Sequence, residues 1–209
     1  MVFRLVPFLV LLLAACAGKP EARWPVDVRQ WVKTTIDLKE LYFNSRDLAS
    51  KTPFGAVREG ERVTLGFSCK KNDLAKMQVI LSRQTIEGNS LRESYEPVRT
   101  IPMTKVQSGP QHDRWECSFS VPEHGVYGYH FELVKAAGDG VVYGDNWTMV
   151  EVPWVKIRGT GGFGKVTELT PGAYKLPYTL TVYRKDWTMP AWTDNMVIYY
   201  IFPERFKNG

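Results

Sequence analysis

Val63-Thr64-Leu65-Gly66-Phe67-Ser68-Cys69 and Trp115-Glu116-Cys117-Ser118-Phe119-Ser120-Val121 decide the fold class. In each, apolar residues alternate with small or polar ones. A strand turns successive side chains to opposite faces, so a period of two marks a strand with one buried face. Val63, Leu65, Phe67 and Cys69 share one face, and Trp115, Cys117, Phe119 and Val121 share another. Working outward, further short runs rich in β-branched and aromatic residues occupy 34–42, 76–84, 93–103, 125–134 and 178–184, beside the two quoted runs at 61–70 and 114–121. Turn signals separate them: Arg58-Glu59-Gly60, Lys71-Asn72-Asp73, Glu87-Gly88-Asn89, Glu123-His124-Gly125 and Ala137-Gly138-Asp139-Gly140. No long helical period intervenes. Seven short strands at this spacing predict an all-β sandwich. Val126-Tyr127-Gly128-Tyr129-His130-Phe131 is apolar at nearly every position and predicts a central strand, or aromatics exposed on one face for a ligand.

The 209-residue chain has a net charge of +5, with basic and acidic residues interleaved and no run of five like charges. Nucleic acid is therefore a poor partner. Seven Trp, ten Tyr and ten Phe suit a β-rich core or a sugar-binding surface.

The first residues are an address, not part of the fold. Arg4 precedes an apolar run from Leu5 to Leu13, too short to span a bilayer. Leu13-Ala14-Ala15-Cys16 resembles a bacterial lipobox. That resemblance implies cleavage before Cys16, acylation of Cys16, and a protein exported and lipid-anchored at a bacterial membrane. Ala17 after the cysteine points to the outer membrane and periplasm in a Gram-negative host. An ordinary signal peptide is the alternative. Residues 1–16 are then the signal, 17–30 a tether with Gly18, Pro20 and Pro25, and 31–184 the sandwich.

Export makes a disulfide chemically accessible to Cys69 and Cys117. Their shared inward orientation fits a bridge closing a loop of about 50 residues. It equally fits two buried free thiols.

Between Trp147 and Pro177 the chain is rich in glycine and proline, which predicts a long functional or mobile connection. Gly159-Thr160-Gly161-Gly162-Phe163-Gly164 lacks the Lys-Ser/Thr pair and the helix that a phosphate loop requires. Tyr143, Trp147, Trp154 and Phe163, in or beside this segment, are candidates to stack on sugar rings; packing against a neighbouring domain is the alternative for each.

The tail changes character. After a linker at 185–194 comes Met196-Val197-Ile198-Tyr199-Tyr200-Ile201-Phe202, apolar on both faces as a helix-covered parallel strand is. With the following Pro203-Glu204-Arg205-Phe206-Lys207-Asn208-Gly209, it resembles the opening of the catalytic barrel in glycoside hydrolase family 13, the α-amylase family. Tyr200 stands where Gln is usual, and Glu204 where Asp is usual. Phe43-Asn44-Ser45-Arg46, Pro53-Phe54-Gly55-Ala56-Val57, Tyr143-Gly144-Asp145-Asn146, Tyr178-Thr179-Leu180-Thr181-Val182-Tyr183 and Pro190-Ala191-Trp192 are similar, in this order, to the neopullulanase, cyclomaltodextrinase and maltogenic amylase subgroup.

The resemblance implies an immunoglobulin-like sandwich of the carbohydrate-binding module family 34 type. Residues 195–209 would then be the first strand of a truncated (β/α)8 barrel. It implies a parent glycosidase acting on α-glucans such as maltodextrin, cyclodextrin, pullulan or starch by a retaining mechanism, and a homodimer in that parent. The catalytic Asp and Glu of the family come from later strands, so no catalytic residue is expected in this chain and no activity from it. Glu204 pairs in position with a structural Asp beside Arg205. Asn208 matches a calcium-binding position, so calcium is expected in the parent and not in this fragment. The competing readings are a non-catalytic α-glucan-binding lipoprotein and a structural surface sandwich.

Overall fold

The computed structural model describes residues 32–87, 92–145, 162–169, 177–193 and 196–197. Cys16, Trp147, Trp154, Glu204, Asn208 and the proposed barrel strand from Ile198 onward lie outside them. The strands are β1 (Lys51–Thr52), β2 (Val57–Arg58), β3 (Arg62–Lys70), β4 (Lys76–Glu87), β5 (Arg92–Pro102), β6 (Thr104–Ser108), β7 (His112–Ser120), β8 (Gly125–Val134), β9 (Gly140–Asp145), β10 (Gly164–Glu168) and β11 (Tyr178–Tyr183). The described residues hold no α-helix.

Two sheets form an immunoglobulin-like sandwich. The smaller runs β1-β3-β7-β6, antiparallel throughout. The larger is organised on β8, as its apolar run predicts. β4 pairs along one side of β8, with β5 outside it. On the other side the first half of β8 pairs with β11 and the second half with β9. β10 continues from β9, and β2 joins β11 in parallel.

The alternation in β3 and β7 is realised as burial. Leu65 and Phe67 are fully enclosed, and Trp115, Cys117 and Phe119 are buried opposite them across the ladder. These side chains meet Val79, Tyr129, Phe131, Leu133 and Leu180 of the larger sheet. Phe67 and Phe131 join the two sheets edge to face, with centroids 5.0 Å apart. Such contacts supplement burial by about 0.5–1.5 kcal/mol each.

Two edge strands, β5 and β6, carry an irregularity. In β5, Leu81 faces Arg99 while Ser82 faces Pro97, which leaves Val98 as the extra residue. In β6, Lys105 faces Trp115 while Gln107 faces Arg114, which leaves Val106 extra. Bulges and prolines at edges disrupt the template that an open strand offers to another chain.

Three expectations require correction. Residues 34–42 do not form a strand. Leu38–Glu40 is a 3₁₀ turn, and Tyr42 makes only an isolated bridge to Ser68. The start of this arm is held by one carboxylate instead of a partner strand: Asp139 Oδ2 accepts hydrogen bonds from Thr34 Oγ1 (3.0 Å), Thr35 N (2.6 Å) and Thr35 Oγ1 (2.8 Å). Second, the glycine-rich segment is not wholly a connection, because Gly164–Glu168 pairs with β9 as a regular strand. Third, Cys69 and Cys117 are free buried thiols. Cys69 faces Asp113 and Cys117 faces Leu65, four positions apart on neighbouring strands. That is roughly 13 Å along the strand direction, beyond the roughly 7 Å Cα separation a disulfide tolerates.

Candidate functional site

The N-terminal arm is laid on β3 by two backbone hydrogen bonds: Tyr42 N–H to Ser68 O (2.8 Å) and Ser68 N–H to Tyr42 O (3.0 Å). Leu41 and Phe43 on either side point into the core. Tyr42 therefore points outward and is 37% exposed. A second bridge joins Asn44 to Phe163, and Ser45 N–H donates to Gly162 O at 2.9 Å. Gly162 has φ of +96°, and a Cβ there would lie 2.2 Å from Asn44 Oδ1, so this turn demands glycine.

These bridges bring Tyr42 and Phe163 together, edge to face, with centroids 6.1 Å apart and planes at 72°. They form one wall of a groove of about 320 Å³ that is also lined by Lys39, Glu40, Ser68 and His112. His112 Nε2 lies 2.8 Å from Glu40 Oε2. The Tyr42 hydroxyl donates to Asp47 Oδ2 at 3.2 Å. Partial burial, reinforced by the Asp47 carboxylate, pushes the Tyr42 phenol above its ordinary range. The groove thus combines an aromatic rim with a hydrogen-bonded imidazole and carboxylate, a hydroxyl and an ammonium group. Aromatic surface with a few polar groups is the usual lining of small-molecule sites.

A larger cleft of about 390 Å³ lies between the sheets, beside the bulge at Val98. Three of its polar side chains, Arg83, Glu123 and Tyr127, engage one another. Arg83 Nη1 lies 2.6 Å from Glu123 Oε2, and the guanidinium covers the Tyr127 ring at 5.9 Å.

Among the sequence candidates, Phe163 falls at the groove. Tyr143 does not. It is fully buried, packed edge-on against Phe67 at 5.0 Å, with its hydroxyl donating to Phe43 O and accepting from Gly164 N–H. No face of it is open to a sugar, so it is a core residue. Tyr42, Glu40 and His112 went unremarked in the sequence. The alternation Leu41-Tyr42-Phe43 carries the signal for Tyr42, since flanking core residues force it outward. Among the described residues, no group of three or more His, Cys, Asp or Glu is placed to hold a metal ion. No helix among them is long and apolar enough to cross a membrane.

Comparison with known proteins agrees with the sandwich. The family described as alpha amylase, N-terminal ig-like domain, matches residues 50–159. The amylopullulanase of Thermoanaerobacterium saccharolyticum is 28% identical over 173 residues, which cover 81% of this chain and 12% of that protein. The amylopullulanase of Thermoanaerobacter thermohydrosulfuricus is 27% identical over 173 residues, covering 81% of this chain and 10% of that protein. The chain thus spans about a tenth of the length of these curated relatives. Among solved structures, a cyclomaltodextrinase aligns with 16% identity and a TM-score of 0.36, covering 63% of this chain and 19% of its own. With more than half of its 209 residues matched by the family, this chain belongs to the alpha-amylase N-terminal Ig-like domain family, the N-terminal part of the glycoside hydrolase family 13 architecture.

Proposed function

We propose that this chain is the N-terminal part of an exported, lipid-anchored enzyme that hydrolyses α-glucans. The observation that carries the reading is the family match over residues 50–159. The amylopullulanase relatives support α-glucan as the substrate class. Cys16 would carry the lipid, each buried CH₂ contributing about 0.8 kcal/mol of membrane affinity. The sandwich itself would stay in water.

The reading assigns cleavage to a retaining pair of carboxylates about 5 Å apart, one acting as nucleophile and the other as acid and then base. These would come from barrel strands beyond the strand that begins near Val197. Asn208 would supply one oxygen to a calcium ion, with the other ligands also further along the barrel. Pairing of two copies in the intact enzyme belongs to the same reading.

The test is to extend the chain along its reading frame and assay the product on maltodextrin, cyclodextrin and pullulan. Release of reducing sugar by the extended protein, and none by the 209-residue chain, is the expected result. An extended protein that folds but leaves every α-glucan intact overturns the reading. It would favour a non-catalytic glucan-binding lipoprotein, which the exposed aromatic groove at Tyr42 and Phe163 would serve.

A further inference from the structure

We infer that the cleft beside the Val98 bulge binds a small amphipathic carboxylate, an apolar body with one anionic head, and that the head seats on Arg99. The inference goes beyond the hydrolase reading, since neither this cleft nor this ligand class follows from an α-glucan substrate.

Strand pairing sets the direction of the side chains. Residues directly opposite each other across a ladder project from the same face. Arg99 lies opposite Leu81, and Leu81 lies opposite Tyr129. Leu81 and Tyr129 are buried in the core, so Arg99 projects from the core-facing side of β5. Two residues further along β4, Arg83 lies opposite the buried Tyr127 in the same way. This face of the larger sheet is otherwise apolar, and here it ends in two guanidinium groups. On the side of the smaller sheet the cleft is lined by Ser120 at the end of β7 and by Val121, Pro122 and Glu123 beyond it.

The two arginines differ in their surroundings. Arg83 has a partner in Glu123 at 2.6 Å, lies over the Tyr127 ring, and faces Glu96 in the register of β4 and β5. Arg99 is exposed, with no ion pair or side-chain hydrogen bond among the described residues. A guanidinium presents a planar fork of donors that matches a carboxylate with two parallel hydrogen bonds. Beside this fork the lining is apolar: Leu81, Val98, Val121 and Pro122. Val98, the extra residue of the bulge, is 52% exposed. A ligand body covering it would remove apolar surface from water.

Size and charge narrow the class. The cleft of about 390 Å³ falls within the range of small-molecule sites, about 300 to 1,000 Å³. Glu96 and Glu123 both stand at Arg83. A doubly charged phosphate would face them across the cleft, whereas a single negative charge is matched by Arg99.

Phenylpropionate, the neutral phenylpropanamide, acetate and inorganic phosphate are titrated separately into the 209-residue chain at constant ionic strength. The Val98 methyl and Arg99 Nε–H signals are followed by NMR. Phenylpropionate should give saturable shifts at both residues, with a Kd of about 1 mM or tighter. The amide should bind about tenfold more weakly, because it cannot form the charge-assisted pair. Acetate, which lacks the apolar body, and phosphate should not saturate. Arg99→Gln should weaken phenylpropionate about tenfold and leave the amide within about twofold. Val98→Asp, which places a like charge at the rim, should abolish saturation by phenylpropionate. Circular dichroism verifies the fold of each variant. If Val98→Asp does not fold, Arg99→Gln and the comparison of acid with amide still decide the matter.

An amide as tight as the acid, or an Arg99→Gln variant as tight as the parent, removes Arg99 from the site and overturns the proposal. Phosphate bound as tightly as phenylpropionate overturns the carboxylate assignment. Shifts that map elsewhere, or that never saturate, overturn the site itself. Arg99 would then be an inward charge that guards the β5 edge against pairing with another chain. None of these outcomes bears on hydrolysis by the extended protein, so the two readings stand or fall separately.

Discussion

The hydroxyl of Tyr143 accepts the backbone N–H of Gly164 at 3.0 Å and donates to the carbonyl of Phe43 at 3.2 Å. One buried phenol thereby ties β9 to the start of β10 and to the N-terminal arm, behind the groove at Phe163. Burial pushes its pKa up to about 12, so it remains a neutral donor and acceptor.

Tyr143→Phe keeps the ring and removes the hydroxyl. Gly164 N–H and Phe43 C=O are then left without this partner in the interior. The expected loss is about 1–3 kcal/mol, seen as a lower urea midpoint at unchanged slope. Gly164→Ala should cost more. Its Cβ would lie 2.2 Å from Tyr143 Cε1 and 2.5 Å from Gly144 O, an overpacking that relief can come to only by moving β10. A Gly164→Ala variant as stable as the parent would refute this account of the joint.

Asp113 gives the fold an acid limb. Its carboxylate is buried, which by itself would raise its pKa. Hydrogen bonds from Lys105 Nζ (2.7 Å), Ser108 Oγ (2.6 Å) and Asn72 N–H (2.9 Å) outweigh burial and hold it at about 2, below the ordinary 3.8. The folded pKa is the lower one. The contribution to stability is therefore fully present above about pH 4 and is lost as pH falls towards 2. About 2 kcal/mol is at stake. Denaturant titrations between pH 7 and pH 2 should show this loss, and Asp113→Asn should flatten it while lowering stability at neutral pH.

The two buried thiols should be silent in the native state. Burial pushes Cys69 up to about 11 and Cys117 up to about 12, so neither forms thiolate at neutral pH. A thiol reagent at pH 8 should react with them only at the rate of opening. Unfolding without reductant should expose both at once. Failure to detect them in denatured, unreduced protein would mean they had paired, and would contradict the register of β3 and β7.

Glu59 fastens the exit of the domain. Its carboxylate accepts the Lys185 N–H at 3.1 Å, and the His124 N–H at 2.9 Å with His124 Nδ1 2.7 Å away. The Lys185 amide first, then His124, hold the Glu59 pKa below its ordinary 4.5. The fastening is therefore present above about pH 4.5 and released as pH falls through the lowered value. Glu59→Ala should speed hydrogen exchange of the Lys185 amide about tenfold at pH 7 and leave that of Phe131 unchanged. Equal exchange in parent and variant would show that Glu59 does not hold the linker.

How legible was all this in the chain? The period of two in β3 and β7 assigned a face to Cys69, Phe67, Trp115 and Cys117, and each is buried as assigned. The apolar run of β8 read as central, and it carries partners along both sides. Residues 34–42 misled because a short alternating run does not reveal whether a partner strand is available. The carboxylate of Asp139, about a hundred positions away, took that place instead. Tyr143 looked like a ligand residue because composition cannot tell an aromatic on the surface from one in the core. Tyr42, Glu40 and His112 were invisible as a set, since nothing local links position 40 to position 112.

Local alternation thus settled which way each strand residue faces, because backbone geometry alone fixes a side-chain period of two. Which residue lies beside which was left to the pairing of distant segments. That pairing depends on burying both sheets against each other at once, so it set the four-position offset between Cys69 and Cys117 and the meeting of Tyr42 with Phe163.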